Sequence, residues 1–267
     1  MIARVWAIAL NTYREALRQK VLYALIFFTV GVILFSFFLG QVSFGADTKI
    51  IKDMGLASIM FLGAMLAIFV GIGLVNKEIE RRTIYTILSK PVTRAEFVIG
   101  KFAGLAVTIG LEVFVMTALL FGILSLYVEP LDFNLLKAVL MIYFELCVII
   151  AVALLFSSYS SSFMSALFSI AFLLLGHVTD DFANIFGPKA DKLMMKEGWV
   201  RLGGGMLDGL VSLMRVVSLD HFVINGQVVH GVPVSWAWIA NGALYAFCWV
   251  VLLLFVAILL FRRKDLK

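Results

Sequence analysis

Glu112 and Glu145 ask most for a chemical explanation, because each carboxylate stands ten residues inside a long apolar segment, one beyond Phe102 and the other beyond Leu135. At about 1.5 Å per helical residue, both sit roughly 15 Å into a bilayer, near its midplane. No Lys or Arg occurs at that depth. Two carboxylates there resist ionising together, so at least one is expected as a neutral acid hydrogen-bonded inside a helix bundle. Two roles fit these residues: gluing neighbouring helices, or lining a path for cargo.

Other candidates for chemistry are few. His177, Asp180 and Asp181 gather at what the apolar pattern makes the outer mouth of a fifth segment, with Met194 and Met195 further on. The spacing suits polar residues at a helix end, and a metal site is the alternative. Cys147 and Cys248 fall inside apolar segments and read as small hydrophobes, with no disulfide framework or paired-Cys metal site to argue from. G-x-x-x-x-G-K-[ST], H-E-x-x-H and G-x-S-x-G are all absent, and the cluster Gly203 to Gly205 runs on into Met206, Leu207 and Asp208. The chain therefore reads as a non-enzyme with no phosphate cradle, metal or cofactor of its own.

The elements that position these residues are membrane helices. With 63% hydrophobic and 15% charged residues and a mean hydropathy of +1.05, the composition lies beyond what soluble domains reach. Six apolar segments approach the length that crosses about 30 Å of hydrocarbon: 21–40, 55–75, 102–127, 135–156, 163–178 and 240–261, the fifth being the shortest. Residues 1–20 lack a small-residue cleavage site and are not read as a signal peptide. Trp6, Leu10, Tyr13 and Leu17 recur at helical spacing, with Arg4, Asn11, Arg14 and Arg18 elsewhere on the wheel, which suits a helix lying in the membrane interface. Gly100 and Gly104 form a GxxxG that hints at close helix packing.

Orientation follows from the basic residues. Fourteen Lys and Arg fall in the N-terminal stretch, the loop 76–101 and the tail, against eight in the remaining connections. Both ends and that loop are therefore expected in the cytoplasm. Topology accounts for the net charge of +5 without a nucleic-acid partner. Between the fourth and fifth spans, Ser157 to Ser162 makes a short uncharged turn whose hydroxyls can cap helix ends. The segment 179–239 is expected to form a small outer cap: Leu207, Leu210, Val211, Met214 and Val217 make an amphipathic stripe, and Asn225-Gly226 between Val223-Ile224 and Val228-Val229 predicts a hairpin.

The loop 76–101 is the one long, highly charged run between apolar segments. Glu78 to Leu88 reads as a helix with Ile84, Ile87 and Leu88 on one stripe and Glu78 one turn from Arg82. Pro91 ends it. Thr93 with Glu96 three residues on is a capping box that starts a second helix. Arg94 is expected to project from the corner between them.

This run resembles the first cytoplasmic loop of type-2 ATP-binding-cassette permeases, on Glu78, Glu80, Arg82, Thr83, Leu88, Ser89, Lys90, Pro91, Val92, Arg94, Gly100 and Lys101. The ending Phe261, Arg262, Arg263, Lys264, Asp265 resembles the tail of the same family. The resemblance implies an all-α permease of six spans forming one domain over 1–267, with an interfacial helix at 1–20, a coupling helix in 76–101 and an outer cap in 179–239. It implies an exporter of the bacterial inner membrane, working as a homodimer with two ATPase subunits that hold ATP and Mg. Glu78, Glu80, Arg82, Thr83, Ile84, Leu88, Lys90, Pro91 and Arg94 would make the ATPase contact. An extracytoplasmic accessory protein and membrane lipid are further partners. Some relatives in the subfamily it resembles serve maturation of multi-copper enzymes, which is what makes a metal role for His177, Asp180 and Asp181 tempting. The alternative is an ion-coupled secondary transporter using Glu112 and Glu145. Against it, Pro91, Pro130, Pro188 and Pro233 all lie outside the apolar segments, so no proline marks a broken helix, and no inverted repeat is evident.

Topology can be tested directly. Single cysteines placed by Lys49→Cys and Lys192→Cys should react with a membrane-impermeant thiol reagent in intact cells, and Lys90→Cys should not. Labelling at residue 90 would reverse the orientation.

Overall fold

In the computed structural model, which describes residues 2–42, 47–80, 93–125, 134–186 and 218–263, long helices run back and forth between two ends of a bundle. In chain order they are α1 (Ile2–Leu17), α2 (Lys20–Val42), α3 (Asp47–Glu80), α4 (Arg94–Leu124), α5 (Asn134–Tyr159), α6 (Ser162–Phe186), a 3-10 turn (Asp220–Phe222), α7 (Asn225–Val229) and α8 (Trp236–Arg263). The protein is an integral membrane protein. Five helices are long and apolar enough to cross a bilayer, over Lys20–Gly40, Thr48–Leu74, Arg94–Leu124, Asn134–Tyr159 and Trp236–Phe261, and Ser162–Val178 is a shorter apolar stretch. Hydrocarbon offers no water to a hydroxyl, so those inside the helices donate to their own backbone. Thr29 bonds the Leu25 carbonyl, Thr108 that of Gly104, Thr117 that of Val113 and Ser169 that of Ser165, all at 2.6–2.9 Å.

The core lies along α3 and α5. Their most apolar stretches are 72% and 67% buried inside the molecule, against 24% for α2 and 33% for α8. The outer pair instead turn Phe27, Phe28, Phe38, Phe247 and Phe255 outward, as lipid-facing surface requires. At one end of the bundle stand α1, Glu80, Arg94, the α5–α6 turn and Arg263; this is the basic end. There Ser157 and Ser158, both buried on the last turns of α5, donate back to the carbonyls of Leu154 and Leu155 in their own helix, and the helix-end carbonyl of Phe156 accepts from Ser160 N–H at 3.0 Å.

The helix α1 has three sectors. Ala9, Thr12 and Ala16 are buried, and this small-residue face lies on α4 at Gly100 and Gly104. A Cβ at Gly100 would stand 2.7 Å from Ile8, and one at Gly104 would stand 2.5 Å from the Ala9 carbonyl oxygen and 2.6 Å from Thr12. The GxxxG expectation holds, and its partner is the N-terminal helix. Ile2, Trp6 and Leu10 face outward.

At the opposite end the hairpin expected at Asn225-Gly226 does not form. Two residues on either side give too little strand to pair, whereas one helical turn buries Val228 and Val229 together. Val228 N–H donates to Ile224 at 3.1 Å, and Gly231, at a φ of 74°, lets the chain turn back so that Val232 N–H reaches the Gln227 carbonyl at 2.9 Å. This small cap is tied to the bundle by Leu219 N–H on the Gly176 carbonyl and by the Tyr245 hydroxyl on the Ser218 carbonyl. The stripe from Leu207 to Val217 lies outside the described residues, and the helices flanking the cap extend further than expected, to Phe186 and from Trp236.

Gly104→Val should lower the thermal unfolding midpoint of the purified protein, because its side chain enters the α1 backbone; overpacking of this kind costs about 1–3 kcal/mol. Gly122→Ala, where nothing lies within 4 Å, should change it little. Equal midpoints for the two would show that α1 is not seated on α4.

Candidate functional site

Two regions of this fold bear on function: the basic end around Thr93, and the bundle interior around Glu145.

The helix α3 does not stop where its apolar run gives way to Asn76 and Lys77 but continues to Glu80. Glu78 and Glu80 therefore lie on a helical extension of the second span. Arg82, Thr83, Ile84, Leu88, Lys90 and Pro91 lie outside the described residues. The chain re-enters the described structure at Thr93, whose backbone is extended (φ −79°, ψ 154°) and whose hydroxyl accepts from Glu96 N–H at 3.2 Å, while the Glu96 carboxylate accepts from Thr93 N–H at 2.8 Å. That is the reciprocal capping box that the sequence predicts, and it fixes where α4 begins.

Arg94 does not project from the corner. Its guanidinium donates to the Phe261 carbonyl at the end of α8 and lies 5.6 Å from the centre of the Phe261 ring. The same ring stacks on Phe97 at 5.9 Å. An arginine satisfying a late carbonyl of another helix while resting on an aromatic face offsets two costs at once, the orphan carbonyl of a helix end and the desolvation of its own stem. The first turn of α4 and the last turns of α8 are thereby clasped together, across 167 residues of sequence. One turn along α4, Lys101 is almost completely buried, with its ammonium 3.9 Å from the Glu15 carboxylate of α1 and 5.7 Å from the Phe97 ring centre.

Within the bundle, Glu112 and Glu145 are both buried, as the sequence predicts. The α4–α5 neighbourhood implied by their short connection is present too: the Tyr143 hydroxyl donates to the Ala106 carbonyl at 3.3 Å, and the Tyr143 ring covers Gly110. Both Glu112 oxygens are without a hydrogen-bond partner among the described residues. Glu145 is different. Its Oε1 lies 3.3 Å from Nε2 of His177, close enough for electrostatic attraction but outside hydrogen-bond alignment.

His177 is consequently not at an outer mouth. The helix α6 runs on to Phe186, and antiparallel counting from the α5–α6 turn puts Glu145 and His177 at the same level, about 21 Å up each helix. His177 Nδ1 lies 3.1 Å from the Leu173 carbonyl; a carbonyl only accepts, so Nδ1 holds a proton and Nε2 faces the carboxyl. Counting only Lys and Arg at this depth missed His177, because the apolar pattern ends at Val178 while the helix does not. Asp180 and Asp181 follow on α6, but their side chains, like Met194 and Met195, lie outside what is described. Among the described residues no group of three or more His, Cys, Asp or Glu could hold a metal ion.

The arrangement offers a polar pair and a second acid in the bundle interior, together with a capped first turn of α4 clasped to the last helix at the basic end. Residues 6–266 match the family described as ABC-2 family transporter protein. No match was found among curated proteins.

The pairing can be measured in a double-mutant cycle of Glu145→Leu and His177→Leu on detergent-solubilised protein. Polar pairs between membrane helices yield couplings of about 0.5–2 kcal/mol, and that range is expected here. A coupling of zero would show that the approach adds no stability.

Proposed function

The chain belongs to the ABC-2 transporter family as a membrane permease component without ATPase activity of its own, and on that premise we propose that it is the transmembrane subunit of an ATP-driven exporter in a bacterial inner membrane. Permeases of this family generally pair with ATPase subunits. Two such subunits, holding ATP and Mg, would supply the energy, and two copies of this chain would form a homodimer around the path, with α6 as the sixth span. The charge asymmetry supports placing both termini and the loop 76–101 in the cytoplasm and the cap around α7 outside, where an accessory protein could dock. The placement proposed within the family is the subfamily associated with multi-copper enzyme maturation.

The observation that supports this reading best is the family match over nearly the whole chain, joined to the shape of the basic end. There α3 extends past its membrane stretch, α4 is capped at Thr93, and the intervening residues contain the motif built on Arg82, Thr83, Ile84, Leu88, Lys90 and Pro91. In the proposed mechanism ATP closes the ATPase pair, and the elbow, with Glu78 and Glu80 on its α3 arm, moves with it. Because Arg94 is clasped to Phe261, displacement of the α4 arm reaches α8 as well as α4 itself, and the bundle reopens toward the outside. Arg94 thus acts by transmitting movement, while Ile84 and Leu88 provide the apolar docking face. Glu112 and the Glu145–His177 pair would line the path, presenting polar groups to the cargo. Family membership favours ATP-driven movement over ion-coupled transport through these acids.

Co-purification tests the reading. The wild-type chain, expressed in its native host, should retain an ATPase subunit in mild detergent. Leu88→Asp should insert normally yet lose it, since a carboxylate buried without a partner costs a few kcal/mol of docking, about a hundredfold in affinity. Absence of any ATPase from the wild-type preparation, or normal transport by Leu88→Asp, would overturn the proposal.

A further inference from the structure

A cleft of about 710 Å³ opens between the polar sector of α1 and α3, lined by Asn11, Arg14, Glu15, Arg18, Gln19 and Gly73. Neither the coupling motif nor the bundle interior accounts for it. We propose that this cleft binds the phosphate of an acidic glycerophospholipid from the adjoining leaflet.

Charge is the first ground. Arg14 and Arg18 stand one helical turn apart on the same face, both exposed, and neither has an ion-pair partner among the described residues. Glu15 lines the same cleft, with its carboxylate 3.9 Å from the buried ammonium of Lys101, and the two arginines leave the lining with a net positive charge. Two guanidinium forks with the Asn11 and Gln19 amides form a donor-rich set, and such sets suit phosphate oxygens better than carboxylates or neutral polar groups.

Level is the second ground. Gly73 lies within one turn of Asn76, Lys77 and Glu78, where the apolar run of α3 gives way to polar and charged residues. The cleft therefore sits where hydrocarbon gives way to headgroups. Absence of a side chain at Gly73, where nothing lies within 4 Å of a would-be Cβ, keeps the α3 wall open.

The third ground is the order of the sectors around α1. At roughly 100° per residue, Ile8, Thr12 and Ala16 face α4, Glu15 borders them, and Asn11, Arg18 and Arg14 follow. Beyond Arg14 comes the outward apolar sector of Leu10, Trp6 and Ile2. Arg14 thus stands on the line between the polar and lipid-facing sectors. A phosphate held by Arg14 and Arg18 would leave its acyl chains lying over Leu10 and Trp6, an arrangement that a free phosphate would not use.

Native mass spectrometry of the full chain in neutral detergent can test this, titrating phosphatidylglycerol or phosphatidylcholine of matched acyl chains. The wild type should retain phosphatidylglycerol at least tenfold more strongly than phosphatidylcholine, and millimolar inorganic phosphate should not displace it. Arg14→Gln with Arg18→Gln should abolish the preference and Arg14→Gln alone should weaken it, whereas Arg4→Gln, which like the single variant removes one positive charge from α1 but outside the cleft, should preserve it. Arg14→Lys with Arg18→Lys, which keeps the charge and the fold, should retain part of it. Equal loss in Arg4→Gln would reduce the effect to general attraction. Displacement by inorganic phosphate would identify a soluble ligand, and no preference in the wild type would leave no site; each of these overturns the proposal. None of these measurements depends on the ATPase partner, so their failure would leave the transport reading standing.

Discussion

Everything in this molecule answers to one constraint: inside hydrocarbon there is no water to complete a hydrogen bond, so each polar group must find its partner within the chain. The regular answer is the helix itself, with threonine and serine hydroxyls folded back onto carbonyls one turn earlier. The irregular answers join different helices. Lys101 lies near Glu15, and the Phe261 carbonyl of α8 accepts from Arg94, while Glu145 approaches His177 without hydrogen-bond alignment and Glu112 has no hydrogen-bond partner among the described residues. Where Arg94 meets Phe261, satisfying a polar group and fixing the arrangement of the bundle are the same event.

Which of these joints could be read from the sequence depended on how local they are. The Thr93–Glu96 box spans four residues, and its chemistry is complete within them, so its position was legible. Gly100 and Gly104 announced a close approach, but a pair of glycines says nothing about what approaches, and only the fold identifies Ala9 and Thr12. Arg94 read as a projecting corner because its acceptor, a backbone carbonyl 167 residues away, has no side-chain signature at all. His177 was misplaced for a different reason. Apolar patterning finds the end of the greasy stretch, and α6 continues past it for two further turns.

The hairpin expected at Asn225-Gly226 shows the opposite failure, a strong local signal overruled by its surroundings. That dipeptide favours a tight turn only when strands on both sides have partners. Here the neighbouring surface is the end of a helical bundle, which offers apolar contact to Phe222, Ile224 and Val228 but no strand edge. Burial settled the matter, and Gly231 supplied the reversal that Gly226 was expected to make.

The clasp between Arg94 and Phe261 also sets an order in time. Ribosomes deliver α4 long before α8, so during synthesis the first turn of α4 exists without the carbonyl that Arg94 will satisfy and without the ring that will stack on Phe97. Completion of the elbow's footing must wait for almost the last residues of the described chain. A nascent permease therefore cannot present a finished basic end until its final helix has inserted, and a half-made chain leaves the first turn of α4 without its anchor.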